Sequence, residues 1–476
     1  MNLITGIREF FKATLIIKIF SFVSQIFLGM YLTKEDFGLY GLVLSFTVFS
    51  NCLGPGIIQK ILVQKGNSFQ SYERYNPVAF SFSLISFFVL TVVSLVTCSI
   101  VDDKKVFFIL TFLLALSGIM QSLVPIQKSV LLSSSRFREV ADTDILTSGL
   151  MHGLTIPFCI LGLGPYSFIA HKPIVHLLEY LRYNRILQRL KKPKIKFPGL
   201  AQIKGISVLK IFEEFKWLIV GALFVTLMVK GDYLVLGFLV NMELLGLYFF
   251  SYQLSISVAN LFTGSVLNNV LLPEFSNQNS EEGKIDYLSK ALMILIILFC
   301  PLFFSLGYLT SPVVKLIWGD KWLESIIAIK FLFFVMPLRF IPSLLRVYYE
   351  SKGKWLSSAM FTGLSATMVL AAAVVGGLIN TIEGITLSIV VCFSILGLGS
   401  TALSIYAIKS REIIFKIIGL IVNSYAVLFI LIAFFNESIL AVIIGLFGFS
   451  LINACIARKE LLYLFDKISK KSFSAS

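Results

Sequence analysis

Residues 29–40 read Gly-Met-Tyr-Leu-Thr-Lys-Glu-Asp-Phe-Gly-Leu-Tyr, and residues 237–248 read Gly-Phe-Leu-Val-Asn-Met-Glu-Leu-Leu-Gly-Leu-Tyr. The two stretches share both glycines and the final Leu-Tyr pair at the same spacing, 208 positions apart. Each stretch joins one long apolar segment to the next. The repeat predicts a chain made of two homologous halves plus a remainder, an architecture that in membranes belongs mainly to transporters.

The composition indicates which solvent surrounds the chain. Hydrophobic residues make up 57% of the 476 positions and charged residues 14%, with a mean hydropathy of +0.88. This leaves too little polar surface to cover a soluble globule of this length. Apolar blocks of about 20 residues, long enough to span the hydrocarbon core as helices, recur almost end to end. Because the blocks are solid and do not alternate with polar residues, they predict an all-α integral membrane protein.

The apolar blocks predict about fourteen transmembrane helices. Their predicted centres lie near Phe22, Phe49, Val89, Leu114, Thr155, Val175, Val225, Ile256, Ile297, Val335, Met368, Val391, Val427 and Gly445. Basic residues cluster in alternate loops, which by the positive-inside rule predicts that both termini are cytoplasmic. Lys12 and Lys18 interrupt the first apolar run, and no Ala-x-Ala-like cleavage site follows it. We therefore expect the first helix to remain in the mature protein.

The repeat and the charge pattern divide the chain into four segments. We predict a first half over residues 1–181, a basic cytoplasmic linker over 182–212, a second half over 213–410, and two extra helices with a cytoplasmic tail over 411–476. The cations of the linker are Arg182, Arg185, Arg189, Lys191, Lys192, Lys194, Lys196, Lys204 and Lys210. We expect this amphipathic segment to lie along the membrane surface. Topology and anionic lipid then explain most of the net charge of +15, so membrane lipid, and not nucleic acid, is the expected partner.

The sequence contains no recognisable catalytic constellation. The three histidines lack the spacing of a hydrolytic metal site, and there is no phosphate-binding Gly-x-x-x-x-Gly-Lys-Ser/Thr loop. The six cysteines fall inside apolar spans without a Cys-x-x-Cys pair, so they are expected to be small core residues. We therefore predict no cofactor and no metal site, and a transporter that is not an enzyme.

Charges inside the apolar spans are the most informative residues. Each costs about 2.5–3.5 kcal/mol at a helix centre on insertion scales, so it normally faces a cavity or a partner. One face of the first span contains Thr14, Lys18, Ser21 and Gln25. The same spacing recurs in the seventh span with Thr226, Lys230, Tyr233 and Gly237. The repeat offset places the two lysines on matching faces one turn apart, which predicts a cavity lined by Lys18, Gln25 and Lys230 that suits an anionic group such as a pyrophosphate.

Two of these assignments have alternatives that the sequence leaves open. Lys230 is near a span end, where a lysine commonly extends to the membrane interface instead of lining a cavity. Arg339, a further candidate for substrate binding, lies between Pro337 and Pro342 in the tenth span. Prolines free backbone carbonyls inside a helix, so Arg339 has an alternative role in satisfying them.

A second polar group occupies the sixth span. Lys172, His176 and Glu179 share one face, and a His/Glu pair is able to relay protons in a coupled transporter. The alternative is an interfacial salt-bridge cluster.

The second span is broken by a glycine-proline segment. Gly54, Pro55 and Gly56 interrupt it, and the repeat offset sets Gly56 opposite Gly264 in the eighth span. Breaks of this kind act as hinges or loosen a helix beside a cavity, and they also serve simply to improve packing.

Four patterns, taken in order along the chain, carry a family resemblance. They are Tyr31-Leu-Thr-Lys-Glu-Asp-Phe-Gly38-Leu-Tyr40, Gly231-Asp232-Tyr-Leu-Val-Leu-Gly237 followed by Leu245-Gly-Leu-Tyr248, Pro273 at the end of the eighth span, and Ile317-Trp-Gly319-Asp-Lys-Trp322. Together they resemble the polysaccharide flippases of the multidrug/oligosaccharidyl-lipid/polysaccharide (MOP) exporter superfamily. The resemblance extends from the first span to the tail.

The resemblance implies a fold, a cargo and a set of partners. The implied fold is a MATE-like pair of six-helix bundles with two extra C-terminal helices, working by alternating access. The implied cargo is an oligosaccharide repeat unit on undecaprenyl pyrophosphate, moved outward across the bacterial cytoplasmic membrane for O-antigen, capsule or exopolysaccharide synthesis. Polysaccharide polymerase and chain-length proteins are the implied protein partners.

Two other functions are alternatives to the flippase. An ion-coupled multidrug exporter of the same superfamily would use a carboxylate buried in the first half, whereas the first four spans contain basic charges and no buried Asp or Glu. A membrane glycosyltransferase or polysaccharide polymerase would carry a large outer loop, whereas the longest outer loop here runs roughly from Ser311 to Glu324. The basic charges favour an anionic lipid cargo.

Overall fold

The computed structural model describes residues 3–48, 69–99, 103–134, 136–192, 194–199, 202, 208–266, 280–408, 410–434 and 453. Every regular element in this part of the chain is helical. The α-helices are α1 Leu3–Tyr31, α2 Lys34–Ser45, α3 Phe69–Thr97, α4 Lys104–Gln121, α5 Val124–Ser133, α6 Phe137–Ile160, α7 Lys172–Arg189, α8 Val208–Leu239, α9 Met242–Val266, α10 Glu281–Tyr308, α11 Thr310–Trp318, α12 Ser325–Ser351, α13 Trp355–Ile379, α14 Ile382–Ala407 and α15 Arg411–Phe434. Two short 3₁₀ turns cover Gly164–Phe168 and Gly319–Trp322.

The helices agree with the predicted all-α membrane architecture. Within the described residues, eight helical stretches are long and apolar enough to cross a membrane by length and composition. The predicted span centres near Phe49 and Gly445 lie outside the described residues, and the other predicted centres all lie inside helices. The chain is therefore a multi-pass helical membrane protein.

The chain separates into two compact units that are interleaved in sequence. Unit 1 is Met1–Phe250 with Ala359–Asn380, and unit 2 is Ser251–Ser358 with Thr381–Ser476. The division of the sequence at residues 181, 212 and 410, which follows the repeat, stays a prediction. In the predicted linker, α7 runs to Arg189, so residues 182–189 are helical.

Unit 1 is built from pairs of packed helices. α1 packs against α6, α3 against α4, α4 against α7, and α2 against α8. A buried core joins α3, α5 and α7 at one end of the unit and includes Val78, Phe82, Ile126, Tyr183 and Leu187.

Both copies of the repeat begin a helix with the same kind of cap. Thr33 caps α2: its hydroxyl accepts from the Asp36 N–H at 3.1 Å, and the Asp36 carboxylate accepts from the Thr33 N–H at 2.9 Å. Asn241, at the equivalent position, caps α9 by accepting from the Leu244 N–H at 2.8 Å. A capping side chain satisfies N–H groups that a helix start leaves unpaired. The repeat thus encodes a helix end, a cap and a new helix start in each half.

Unit 2 is centred on α12, which packs against α10 and α14, while α10 also contacts α15. Both Pro337 and Pro342 lie inside α12, which is one continuous helix. The stretch from Ser311 to Glu324, expected to be a loop, is instead mostly helical, as α11 and the turn Gly319–Trp322. Its apolar residues have helical spacing, with Val314 and Trp318 buried, and this amphipathic pattern favours a short helix over an open loop.

Candidate functional site

The two repeated glycines of unit 1 pack against each other's helices. A side-chain carbon on Gly38 would lie 1.9 Å from the Met242 carbonyl oxygen, and one on Gly246 would lie 1.7 Å from the Lys34 carbonyl oxygen. Met242 and Lys34 are themselves equivalent in the repeat, so the contact is reciprocal. Only glycine permits this approach, because any Cβ would overlap backbone.

An ion pair and aromatic rings surround this contact. Lys34 Nζ lies 3.0 Å from Glu243 Oε1. We call Lys34, Gly38, Met242, Glu243 and Gly246 the repeat interlock. The interlock adjoins three ring contacts that join α2 to α9: Phe37 with Phe249, Phe37 with Phe250, and Tyr40 with Phe249. The sequence revealed that these positions are equivalent but not that they touch.

The polar face predicted for α1 is directed away from its exposed surface. Gln25 is buried, and Lys18 is partly buried. The exposed residues of this helix are apolar and include Leu15, Ile19 and Phe22. This division of α1 is typical of a helix with one lipid-facing side and one side toward protein.

Lys230, the second predicted lysine, also points into unit 1. Its Nζ donates to Thr47 Oγ1 at 2.7 Å. Asp232, two positions later, is fully buried, accepts from the Tyr248 hydroxyl at 2.7 Å and is not at an exposed interface. Residues two apart on a helix point in different directions, which explains why these neighbours have separate partners.

Lys172 begins α7 and binds a repeat tyrosine. Its Nζ lies 3.1 Å from the Tyr40 hydroxyl, and the Tyr40 ring stacks on Phe168 with 3.9 Å between centroids. The face shared with His176 and Glu179 does not bring the three together in one chain of contacts: His176 Nδ1 and Glu179 Oε2 pair at 3.1 Å, while Lys172 pairs with Tyr40.

The basic side chains of unit 1 are partly buried, and two of them contact α2 or the residues directly after it. Lys172 binds Tyr40 and Lys230 binds Thr47, seven positions further along the chain, while Lys18 lies on the inward face of α1. We call Lys18, Lys172 and Lys230 the cationic cluster. Like charges gathered in a low-dielectric region repel one another, so the cluster favours binding of an anion.

Arg339 belongs to unit 2 and is held by aromatic residues. Its Nη2 donates to the Tyr252 hydroxyl, and its guanidinium carbon lies 5.1 Å from the centroid of the Tyr252 ring and 4.9 Å from that of Phe393. Cation–π contacts of this kind hold a guanidinium while leaving N–H groups available to other partners.

The predicted hinges are only partly covered by the described residues. Gly54, Pro55 and Gly56 lie outside them, and Gly264 lies inside α9. Among the cysteines, Cys159, Cys300 and Cys392 are buried as expected, whereas Cys98 is only half-buried because it follows the end of α3; Cys52 and Cys455 lie outside the described residues.

Sequence reasoning missed one member of the cationic cluster. The sequence predicts a proton relay for Lys172 and does not place it with Lys18 and Lys230. The signal for Lys172 is a contact with Tyr40 across 132 positions of sequence, which no local pattern reveals.

Comparison with solved structures identifies the fold. The chain is similar to the lipid II flippase MurJ in an inward closed conformation, with a TM-score of 0.71, 18% identity, and coverage of 95% of this chain and 99% of that one. It is also similar to an inward-facing multidrug resistance MATE family transporter of the MOP superfamily, with a TM-score of 0.61, 13% identity, and coverage of 83% and 96%. A MOP superfamily transporter from Pyrococcus furiosus matches with a TM-score of 0.55, 15% identity, and coverage of 86% and 96%. The fold is that of the MOP superfamily, as the resemblance implied.

The sequence identifies the family. A family model described as "Polysaccharide biosynthesis protein" matches residues 27–327, which is more than half of the chain. The chain therefore belongs to this polysaccharide biosynthesis family, as the resemblance in its sequence implied. A search of curated proteins gives no match.

Proposed function

We propose that this protein is a flippase that moves oligosaccharide repeat units linked to undecaprenyl pyrophosphate from the cytoplasmic to the outer face of the bacterial cytoplasmic membrane. The cargo would serve O-antigen, capsule or exopolysaccharide synthesis. The single observation that carries the proposal is the cationic cluster of partly buried lysines in a protein of the polysaccharide biosynthesis family. A pyrophosphate is a compact dianionic group, and ammonium groups that lack carboxylate partners are suited to bind it.

The charge pattern supports an anionic cargo over a cationic drug. Three lysines form the cluster, whereas the buried carboxylates in the described part of unit 1 have other partners: Glu179 pairs with His176, and Asp232 with Tyr248. A cationic drug would need a negatively charged binding site. The positive charge of the cluster would instead repel a cationic drug.

Arg339 is proposed as a further cargo contact. It carries a permanent charge, and its planar N–H fork matches a phosphate or an acidic sugar. Its contacts with Tyr252 and Phe393 support a defined orientation for the guanidinium. Gln25 is proposed to hydrogen-bond the cargo, because its amide both donates and accepts.

The mechanism proposed is alternating access, with both termini and the basic linker cytoplasmic. In this orientation the repeat interlock lies on the outer side. We propose that it closes the outer end of the pathway while cargo is loaded from the cytoplasm, and that it separates for release. The proposed hinges, Gly54, Pro55, Gly56 and Gly264, would absorb the movement.

Proton coupling is proposed for the buried His176–Glu179 pair. The direct contact between His176 Nδ1 and Glu179 Oε2 at 3.1 Å supports transfer of a proton between the imidazole and the carboxylate. Export by His176→Gln should then no longer depend on an imposed pH gradient. Dependence equal to that of the unmodified protein contradicts the coupling role and leaves the cargo assignment intact.

Complementation of surface polysaccharide tests the cargo assignment. Cells that lack the flippase would receive the unmodified chain or the triple variant Lys18→Ala/Lys230→Ala/Arg339→Ala. We expect the triple variant to leave lipid-linked repeat units unexported, at normal membrane levels of protein. Full export by the triple variant contradicts the assignment. A matched control, Lys104→Ala/Lys105→Ala, removes exposed cations from α4 and should export normally.

A further inference from the structure

One exposed face of α7 changes from apolar to cationic along its length. Its first exposed residues are Ile174, Leu177, Leu178 and Leu181, with Ile174 61% exposed. From Arg185 onward the exposed residues are Arg185, Gln188 and Arg189. On a membrane protein, such a change marks the boundary between hydrocarbon and headgroups. Leu181 and Arg185 are four residues apart, so at a rise of 1.5 Å per residue the boundary between hydrocarbon and headgroups lies within about 6 Å along the axis of α7.

Hydrogen bonds hold the segment that follows α7 in place beside this boundary. Residues 194–199, which we call the linker strap, follow the helix without regular structure. Asn184 holds the strap through both of its amide atoms: Nδ2 donates to the Ile195 carbonyl at 3.0 Å, and Oδ1 accepts from the Ile195 N–H at 3.1 Å. The Tyr180 hydroxyl donates to the same carbonyl at 2.9 Å. These groups are buried, so the strap has a defined position.

Helix α3 provides independent evidence for the level of the strap. Asn76 Nδ2 donates to the Lys196 carbonyl at 2.7 Å. The Phe197 ring contacts Phe80, with 5.6 Å between centroids. The exposed apolar surface of α3 begins slightly further along, at Ile85. Both helices therefore place the strap at the edge of the hydrocarbon region.

Five exposed cations cluster at this edge: Arg185, Arg189, Lys191, Lys194 and Lys196. No carboxylate in the described part of the chain forms an ion pair with any of them. Lys191 has a φ of 55°, in the left-handed region that favours glycine. A lysine at this position costs stability that glycine would avoid, which is consistent with a use for its charge.

We propose that these five cations, the cationic rim, bind the headgroups of acidic phospholipids, with the acyl chains lying on the apolar face of α7. The charges are complementary, and the strap holds the cations in place before the lipid arrives, which lowers the entropic cost of binding. The partner is a structural lipid at the membrane surface and not the transported cargo. The inference therefore does not depend on the proposed function.

Lipid titration of the purified full-length protein in detergent tests the proposal. A ligand that binds the folded state raises the melting temperature, so the temperature shift reports occupancy. We expect phosphatidylglycerol to raise the melting temperature saturably and phosphatidylcholine not to do so. A cation near an anionic surface contributes about fivefold in affinity. Arg185→Gln/Arg189→Gln/Lys194→Gln should therefore need on the order of a hundredfold more phosphatidylglycerol for the same shift.

A control variant removes the same number of exposed positive charges elsewhere. Lys104→Gln/Lys105→Gln/Lys315→Gln should titrate as the unmodified protein does. Equal potency of the two lipids, an unchanged titration of the rim variant, or an equal loss in the control would overturn the proposal. If the triple rim variant does not fold, the single variants Arg185→Gln and Arg189→Gln decide the question, each with an expected loss of about fivefold.

Discussion

Gly38 and Gly246 each lie against the carbonyl of the residue four positions before the other, Met242 for Gly38 and Lys34 for Gly246. The contact is made from the same sequence positions on both sides, so it has local two-fold symmetry. Because it involves backbone atoms, no side-chain rotation relieves an added carbon there. The close approach of α2 and α9 therefore depends on glycine at both positions.

Gly38→Ala should weaken the repeat interlock. The added Cβ forces α2 away from Met242, and overpacking of this kind costs about 1–3 kcal/mol. We expect the outer side to open more often, by about tenfold or more. The measurement is the labelling rate of Val43→Cys, a fully buried position in α2, by a membrane-impermeant thiol reagent in a chain without its native cysteines.

Gly221→Ala is the matched control for this variant. Gly221 is also helical and lies in unit 1, but a Cβ there meets nothing within 4 Å. Both substitutions gain the same helix propensity, so their difference isolates the close contact. Equal labelling rates for the two variants would show that the interlock does not control access.

The ion pair between Lys34 and Glu243 should make a smaller contribution. The two side chains are 19% and 48% exposed, and exposed pairs contribute about 0.2–1 kcal/mol. Lys34→Glu should raise the Val43→Cys labelling rate several-fold at low salt, and the swap Lys34→Glu/Glu243→Lys should reverse the increase. Failure of the swap to restore the rate would indicate that Lys34 acts through other contacts.

The fold was predictable from the sequence because its signals are local. The apolar blocks, and the spacing inside each copy of the repeat, involve residues near one another in the chain. The contact between the repeat copies was not predictable, since equivalence under an offset does not imply proximity. Only the structure reveals the interlock, because it shows that α2 packs against α9 in unit 1.

The candidate site was predictable only where helix periodicity governs it. The inward face of Lys18 and Gln25 follows from i, i+4 and i+7 spacing. Nearness in sequence does not reveal the partners of Lys230 and Asp232, which point in different directions on α8 and bind Thr47 and Tyr248. Long-range contacts of this type require the fold.

Lys230→Met tests the cationic cluster at its best-defined contact. The substitution keeps the length of the side chain and removes its charge. A hydrogen bond to a charged group is worth about 1.5–3 kcal/mol. If Lys230 contacts the cargo, export should fall tenfold or more. The melting temperature should hold or rise, because a partly buried charge has been removed.

Lys105→Met provides the control for this variant, because Lys105 is exposed in α4. Thr47→Val tests how much the hydrogen bond between Thr47 and Lys230 contributes to export. It removes the hydroxyl that accepts from Lys230 and should weaken export less than Lys230→Met does. Export at the unmodified rate by Lys230→Met would remove Lys230 from the site.

Two substitutions of Arg339 distinguish a role in cargo contact from a role in packing. Arg339→Lys keeps a positive charge but loses the planar contacts with Tyr252 and Phe393, whereas Arg339→Gln loses both. If the charge contacts the cargo, the lysine variant should retain most of the export and the glutamine variant should lose tenfold or more at equal protein level. If Arg339 serves only to pack α12, both variants should lower the melting temperature alike, and export should follow the amount of folded protein. Export assays and thermal denaturation of the same preparations distinguish the two outcomes.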